Sequence, residues 1–188
     1  MAVPVPWVDL TSDEKRERTL AAADDLFARE GLDVAMPVLA AAVGVGVGSI
    51  YRQVGAKDDV IATLVIQRAG TLTRRFSEAA RHPDAWAALS EATYATVQEC
   101  VSDFLSQTAW DDAAATRPEV AEARAAATSA LEELVERARA QGALRPDAEA
   151  EDLRLVFKAT RELATLGSGG ARRLAELVLR GMAAEPAS

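Results

Sequence analysis

Few side chains in this sequence are equipped for chemistry. It holds one histidine, His82, and one cysteine, Cys100. A zinc site takes three or four such ligands, so no metal centre is expected. A lone cysteine closes no intrachain disulfide, and Cys100 reads as a small buried hydrophobe. No nucleophile–base arrangement and no inward pair of carboxylates emerges, so neither catalytic residues, an enzyme activity nor a cofactor is expected. What remains is VGVGVGSIYRQ, residues 43–53, where a hydroxyl, a phenol, a guanidinium and an amide follow three glycines.

That run has three readings. As a strand it is six residues of Val-Gly alternation, glycine gives its second face no side chain, and no partner strand is evident. As a phosphate loop it lacks the lysine of a Walker A motif. The dinucleotide pattern fails too, because Ser49 stands where the third glycine belongs and the preceding Leu-Ala-Ala-Ala is helical rather than extended. As a helix-turn-helix it presents a short second helix to a DNA groove, braced by a first. At about 100° per residue, Ile50 and Val54 share the inward face. Arg52 points the opposite way, flanked by Gly48 and Ser49, with Tyr51 and Gln53 on the shoulders. Such a face suits phosphate and base-edge hydrogen bonds.

The surrounding elements fit that third reading. The chain has 188 residues, 49% of them hydrophobic, enough for one sizeable core or two small ones. The first ten residues carry no basic region and are interrupted by prolines, so no signal peptide is expected. No run approaches the roughly 18 apolar residues of a membrane span, and the chain reads as cytoplasmic. Nothing repeats at a fixed period. Thr11 or Ser12 caps a first helix that Gly31 ends. A short second helix is expected from about Pro37 to Val43 and a third from Val47 to Gln53, with Gly44 and Val45 as the turn. A long fourth helix follows Gly55. A fifth begins at Pro83-Asp84 and carries Trp86, Leu89, Val97 and Phe104. Asp111 to Arg117 reads as a polar, alanine-rich connection, and Pro118 opens the next helix. The last two helices are expected at about 148–166 and 170–182.

The expected fold is therefore all-α: an N-terminal three-helix helix-turn-helix domain joined through a long fourth helix to a larger helical body. Residues 1–11 form a flexible arm, 12–70 the DNA-binding domain with its motif at about 36–54, and 71–188 the larger helical domain.

Residues from about Arg18 to Leu64 resemble the N-terminal domain of the TetR family of bacterial transcriptional regulators. The resemblance rests on Leu26-Phe27-Ala28-Arg29-Glu30-Gly31, Leu39-Ala40, Gly44-Val45, Gly48-Ser49-Ile50-Tyr51-Arg52 and Lys57. It implies a homodimer whose recognition helices read a palindromic operator in double-stranded DNA. Ser49, Tyr51 and Gln53 would touch phosphates or bases, Val47 and Gly48 would sit near base edges, and Lys57 would hold a phosphate at the start of the fourth helix. Arg52 completes the DNA-binding set.

The sequence also departs from the family pattern. Gln53 stands where histidine is common, and Val54 where phenylalanine is. The second helix opens on Ala35-Met36-Pro37-Val38 instead of a hydroxyl cap and polar residues. A missing cap costs about 1 kcal/mol. Val47 replaces a usually polar residue, so it either packs at the edge of the core or reads a thymine methyl.

Charge constrains the binding mode. The formal net charge is −8. Residues 1–57 carry six Lys/Arg against eight Asp/Glu, and the remainder fifteen against twenty-one. Neither part coats nucleic acid non-specifically, so specific binding depends on a few placed cations: Arg52, Lys57 and one of Arg16 or Arg18. Modest affinity with a shallow salt slope follows.

The resemblance makes residues 71–188 the ligand-binding and dimerisation domain, and implies that the stripes Leu153-Val156-Phe157-Thr160-Leu163 and Leu174-Leu177-Val178-Met182 pair with their copies across a two-fold axis. Trp86, Tyr94, Cys100, Phe104, Trp110 and Phe157 are the candidate pocket residues. Because the stripes hold almost no ionisable groups, a small apolar effector is expected. The resulting expectation is a homodimeric repressor released from its operator by that ligand. The alternative is a helical interaction protein with a degraded DNA-binding unit.

Overall fold

A computed structural model of the chain describes residues 5–162 and 167–184, without the side chains of residues 104, 114–116, 167 and 168. Every regular element among them is helical, apart from an isolated bridge between Leu144 and Ala183. No single described helix is long and apolar enough to cross a membrane. The chain divides into two compact units, Met1–Val65 and Ile66–Ser188.

The first unit begins with a 3-10 turn at Trp7–Asp9, inside the stretch expected as an arm. Helix α1 spans Ser12–Glu30. Thr11 caps it as anticipated: its hydroxyl accepts from the Glu14 N–H at 3.2 Å, and the Glu14 carboxylate accepts from the Thr11 N–H at 2.7 Å. Gly31, at φ 84°, ends it. Helices α2 (Met36–Val43) and α3 (Val47–Val54) follow. Leu20, Leu26 and Phe27 of α1 are buried, as are Leu39 and Val43 of α2 and Ile50 and Val54 of α3. These short helices are marginal alone and stand because their apolar faces are buried together.

Helix α4 (Lys57–Ala80) runs through the division between the units, which falls five residues before the expected 70/71 boundary. The second unit continues with α5 (Ala85–Ser102), α6 (Phe104–Thr108), α7 (Trp110–Thr116), α8 (Pro118–Ala140), α9 (Ala150–Glu162) and α10 (Gly167–Met182). Phe76, Leu89, Leu131, Leu134, Leu153, Phe157 and Leu179 belong to its core. The Phe76 and Phe157 rings stack there, 6.3 Å apart at 14°.

Two stretches of the second unit differ from expectation. The segment after Asp111, expected as a connection, is helix α7. Its alanines favour helix, and Trp110, 9% exposed, anchors the start. The fifth helix stops at Ser102, because the Asp103 side chain accepts from the Ser106 N–H at 2.8 Å and starts α6 instead.

Of the two stripes expected to dimerise, that of α9 is internal in its described residues and that of α10 only in part, with Leu174 and Val178 half-buried. Leu153, Val156, Phe157 and Thr160 of α9 are buried within the chain's own core, as is Met182 of α10. Leu163 lies outside the described residues. The large apolar side chains left exposed on these two helices are Leu155 and Leu177. An apolar stripe does not say whether it packs within its own chain or on a copy, and here the α5 face takes it.

Candidate nucleic-acid interface and ligand cavity

Gly44 makes the turn between α2 and α3. At φ 80° it occupies the left-handed region that glycine enters without strain. Its N–H reaches the carbonyls of Ala40 and Ala41, and the Val45 N–H also reaches Ala40. This closes α2, and the chain direction then changes by 98° into α3. Ala35 offers α2 no side-chain cap, as its sequence indicated.

The faces of α3 sort as the wheel predicts. Ile50 and Val54 are buried, Arg52 is exposed, Tyr51 is 49% exposed, and Ser49 and Gln53 are half-buried. Arg52 donates to the Ser49 hydroxyl one turn back, at 3.2 Å. Gly48 is exposed, and a Cβ added there would meet nothing within 4 Å. The chain's own packing therefore does not require glycine at that position. Val47 is half-buried.

The C-terminal end of α3 is held from α1. Arg16 donates to the Gln53 main-chain oxygen at 2.9 Å and to the Thr63 hydroxyl at 3.3 Å. The Ser12 hydroxyl approaches the Gln53 side-chain oxygen at 3.5 Å. Arg18 donates to the Val5 carbonyl at 3.2 Å. Both arginines considered as phosphate contacts are thus engaged within the unit. Lys57 is half-buried at the start of α4. The Ala56 N–H there is already taken by the Asp59 carboxylate at 2.7 Å. That contact needs the glycine before it: Gly55 has φ 77°, and a Cβ would stand 2.4 Å from Asp59 Oδ2.

The second unit carries an open cavity of about 540 Å³. This lies within the roughly 300–1,000 Å³ of pockets that hold small molecules. Of the residues singled out for a pocket, Cys100, Trp110 and Phe157 line it. Trp86 and Tyr94 do not; they pack against the core, with Arg172 4.6 Å above the Tyr94 ring. The Phe104 side chain lies outside the described residues. Burial pushes the Cys100 thiol pKa up, and the adjacent Arg161 offsets this only in part.

The expected apolar wall is corrected by the structure. Leu72, Phe76, Leu131 and Phe157 line one part, but Arg68, Arg124, Arg161, Asp103 and Asp111 line the rest. Arg68 grips Asp103 through two hydrogen bonds, the Nε one at 2.7 Å. Burial opposes ionisation of Asp103, but hydrogen bonds from Arg68 and Ser106 outweigh it and hold its carboxyl below the usual value. Arg124 pairs with Asp111 at 2.7 Å. The guanidinium carbons of Arg124 and Arg161 lie over the Trp110 ring, 5.4 and 5.7 Å from its centroid. Long charged side chains reach a cavity from positions beside an apolar stripe, so counting the stripe alone missed them. One sequence signal was available: Arg154, Lys158 and Arg161 recur at i, i+4, i+7 on α9, and all three line the cavity.

Family models match both parts of the chain. Residues 20–64 match the model described as bacterial regulatory proteins, tetR family. Residues 82–184 match that of the transcriptional regulator SbtR-like C-terminal domain. Solved structures of similar fold include the fatty acid degradation regulator FadR from Bacillus halodurans. It is 18% identical, with 88% of this chain and 95% of that one covered and a TM-score of 0.72. SCO0520 from Streptomyces coelicolor, a TetR transcriptional regulator, is 25% identical over 91% and 99% of the two chains, with a TM-score of 0.68. SmeT, the repressor of the Stenotrophomonas maltophilia multidrug efflux pump SmeDEF, is 18% identical over 93% of each, with a TM-score of 0.69. No curated protein matches the chain by sequence.

Proposed function

The chain belongs to the TetR family of bacterial transcriptional regulators, and from that premise we propose a homodimeric repressor that a small molecule releases from a palindromic operator. DNA-binding regulation of transcription is the family's work, and the family is not a class of enzymes. The DNA contact in this reading rests on one observation above the others. After a turn of 98°, α3 buries Ile50 and Val54 and leaves Tyr51 and Arg52 outward. Such a helix enters a major groove side-on with its inward face still packed.

In this reading Tyr51, Ser49 and Arg52 supply hydrogen bonds to phosphates and base edges. Gly48 lets the α3 backbone approach the DNA, which accounts for a glycine that internal packing does not require. Gln53 contributes its amide while its main chain is held by Arg16. Lys57 neutralises a phosphate. Arg16 and Arg18 are dropped from the contacts, being engaged elsewhere. Dimerisation uses the outward face of α10, where Leu177 is 52% exposed. The cavity of the second unit receives the releasing ligand. The regulator works in the cytoplasm, where its operator lies.

Selection of bound sequences from a random DNA pool tests the reading directly. A recovered palindrome, retarded in a gel by the folded protein, is the expected result. No enrichment and no retardation at low salt would replace it with the helical interaction protein whose α2 has lost its cap and polar opening.

A further inference from the structure

The charged part of the cavity wall is not balanced. Each lining carboxylate has a cation at hydrogen-bond distance: Asp103 has Arg68 at 2.7 Å, Asp111 has Arg124 at 2.7 Å, Glu99 has Arg75 at 2.9 Å, and Glu151 has Arg154 at 2.6 Å. Arg161 is different. Its side chain is only 13% exposed, yet its ion-pair contact among the described residues is Asp111 Oδ2 at 3.9 Å, while Arg124 holds Oδ1 of that carboxylate at 2.7 Å; Arg161 also meets the Cys100 thiol, a weak acceptor. A guanidinium stays protonated at any ordinary pH and carries five N–H donors. Burying it further under a neutral ligand leaves donors unmet, which costs free energy. An incoming cation finds no unmatched acid. An incoming anion finds Arg161, with Lys158, 58% exposed and 3.9 Å from Glu162, as a second and more solvated cation on the same wall.

Resting on the ligand-release reading above, we infer that the cavity takes an amphipathic monoanion, its carboxylate received by Arg161 and its apolar body lying along Leu72, Phe76, Leu131 and Phe157. The planar fork of arginine matches a carboxylate in two parallel hydrogen bonds. The Trp110 ring beneath the Arg161 guanidinium fixes the plane of that fork. Asp111 competes only weakly for it, because Arg124 holds the same carboxylate more closely. The polar and apolar parts of the wall thus prescribe opposite ends of one molecule.

Calorimetric titration of the full chain with decanoate, decanol and decylammonium, all below micelle formation, tests the inference. Decanoate should bind at least about tenfold more tightly than either other probe. Arg161→Met should bring decanoate down to the level of decanol without changing decanol, and Arg161→Lys should restore part of the preference. Equal binding of decanoate and decanol, tighter binding of decylammonium, an undiminished carboxylate preference in Arg161→Met, or no binding of any probe would overturn it. Should Arg161→Met not fold, judged by its helical circular dichroism, the ranking of the three probes on the natural chain decides. Operator retardation measured without amphiphile reports separately on the DNA-binding reading, so the two can fail independently.

Discussion

Arg16 of α1 donates to the main-chain oxygen of Gln53 at 2.9 Å, so the last turn of α3 is held by a charged hydrogen bond from another helix. The contact also places a cation at the negative end of the α3 dipole. A residue of the first helix thereby ties down the end of α3, a positioning role distinct from a phosphate contact.

The two roles separate by salt dependence. Arg16→Met should weaken operator binding several-fold while the slope of log affinity against log salt stays unchanged. Lys57→Gln should weaken binding to all sequences and flatten the slope by about 0.9 for each phosphate no longer neutralised, hence by about 2 for a dimer. Gel retardation across a salt series measures both. A flattened slope in Arg16→Met would return Arg16 to the phosphate contacts.

Val47 is half-buried at the first position of α3, so part of its surface stays open to a contact such as a thymine methyl. Replacing operator thymines by uracil in one half-site should cost about fourfold at one position, the worth of roughly one buried methylene. Unchanged affinity at every position would leave Val47 a packing residue alone.

The Arg68–Asp103 pair sets a pH dependence. With its folded pKa lowered, the Asp103 carboxyl contributes its stability in full above the unfolded value of about 3.9. That contribution disappears as pH falls through the folded value. Asp103→Asn keeps a capping side chain for α6 but loses the charge, and should cost about 2 kcal/mol at neutral pH. In urea unfolding, the gap between the natural chain and the variant should close below about pH 4. A gap that stays constant down to pH 3 would show that the charge on Asp103 contributes nothing.

Leu177 is the exposed apolar residue of α10, between Arg173 and Arg180, which both pair with Glu176. Leu177→Glu should convert a dimer to a monomer in sedimentation and lower operator affinity by an order of magnitude or more, since two half-sites are then bound separately. A dimer that survives the substitution would place the interface elsewhere.

The DNA-binding half was legible from residue order because its determinants are local. A capping box is four consecutive residues, and Thr11 and Glu14 form it. Gly44 adopts the left-handed conformation its position asks for. The inward and outward faces of an eight-residue helix follow from its period, and Ile50 and Arg52 fall where that period puts them. Asp103 was harder. Its capping of α6 broke a helix that periodicity alone would have carried on to Phe104.

In the larger unit, residue order was enough to say that helices form, roughly where they lie, and which positions are apolar. What each apolar stripe meets depended on how the folded helices pack. That packing turned Val156 and Phe157 into the chain's own core and left Leu177 outside. It also decided the character of the cavity, by bringing Arg161 of α9, Arg124 of α8 and Trp110 of α7 together from distant parts of the chain. The physical reason is one of range. Caps, turns and helix faces are fixed by neighbours within a turn or two, whereas the partner of a long charged side chain depends on how separate helices pack.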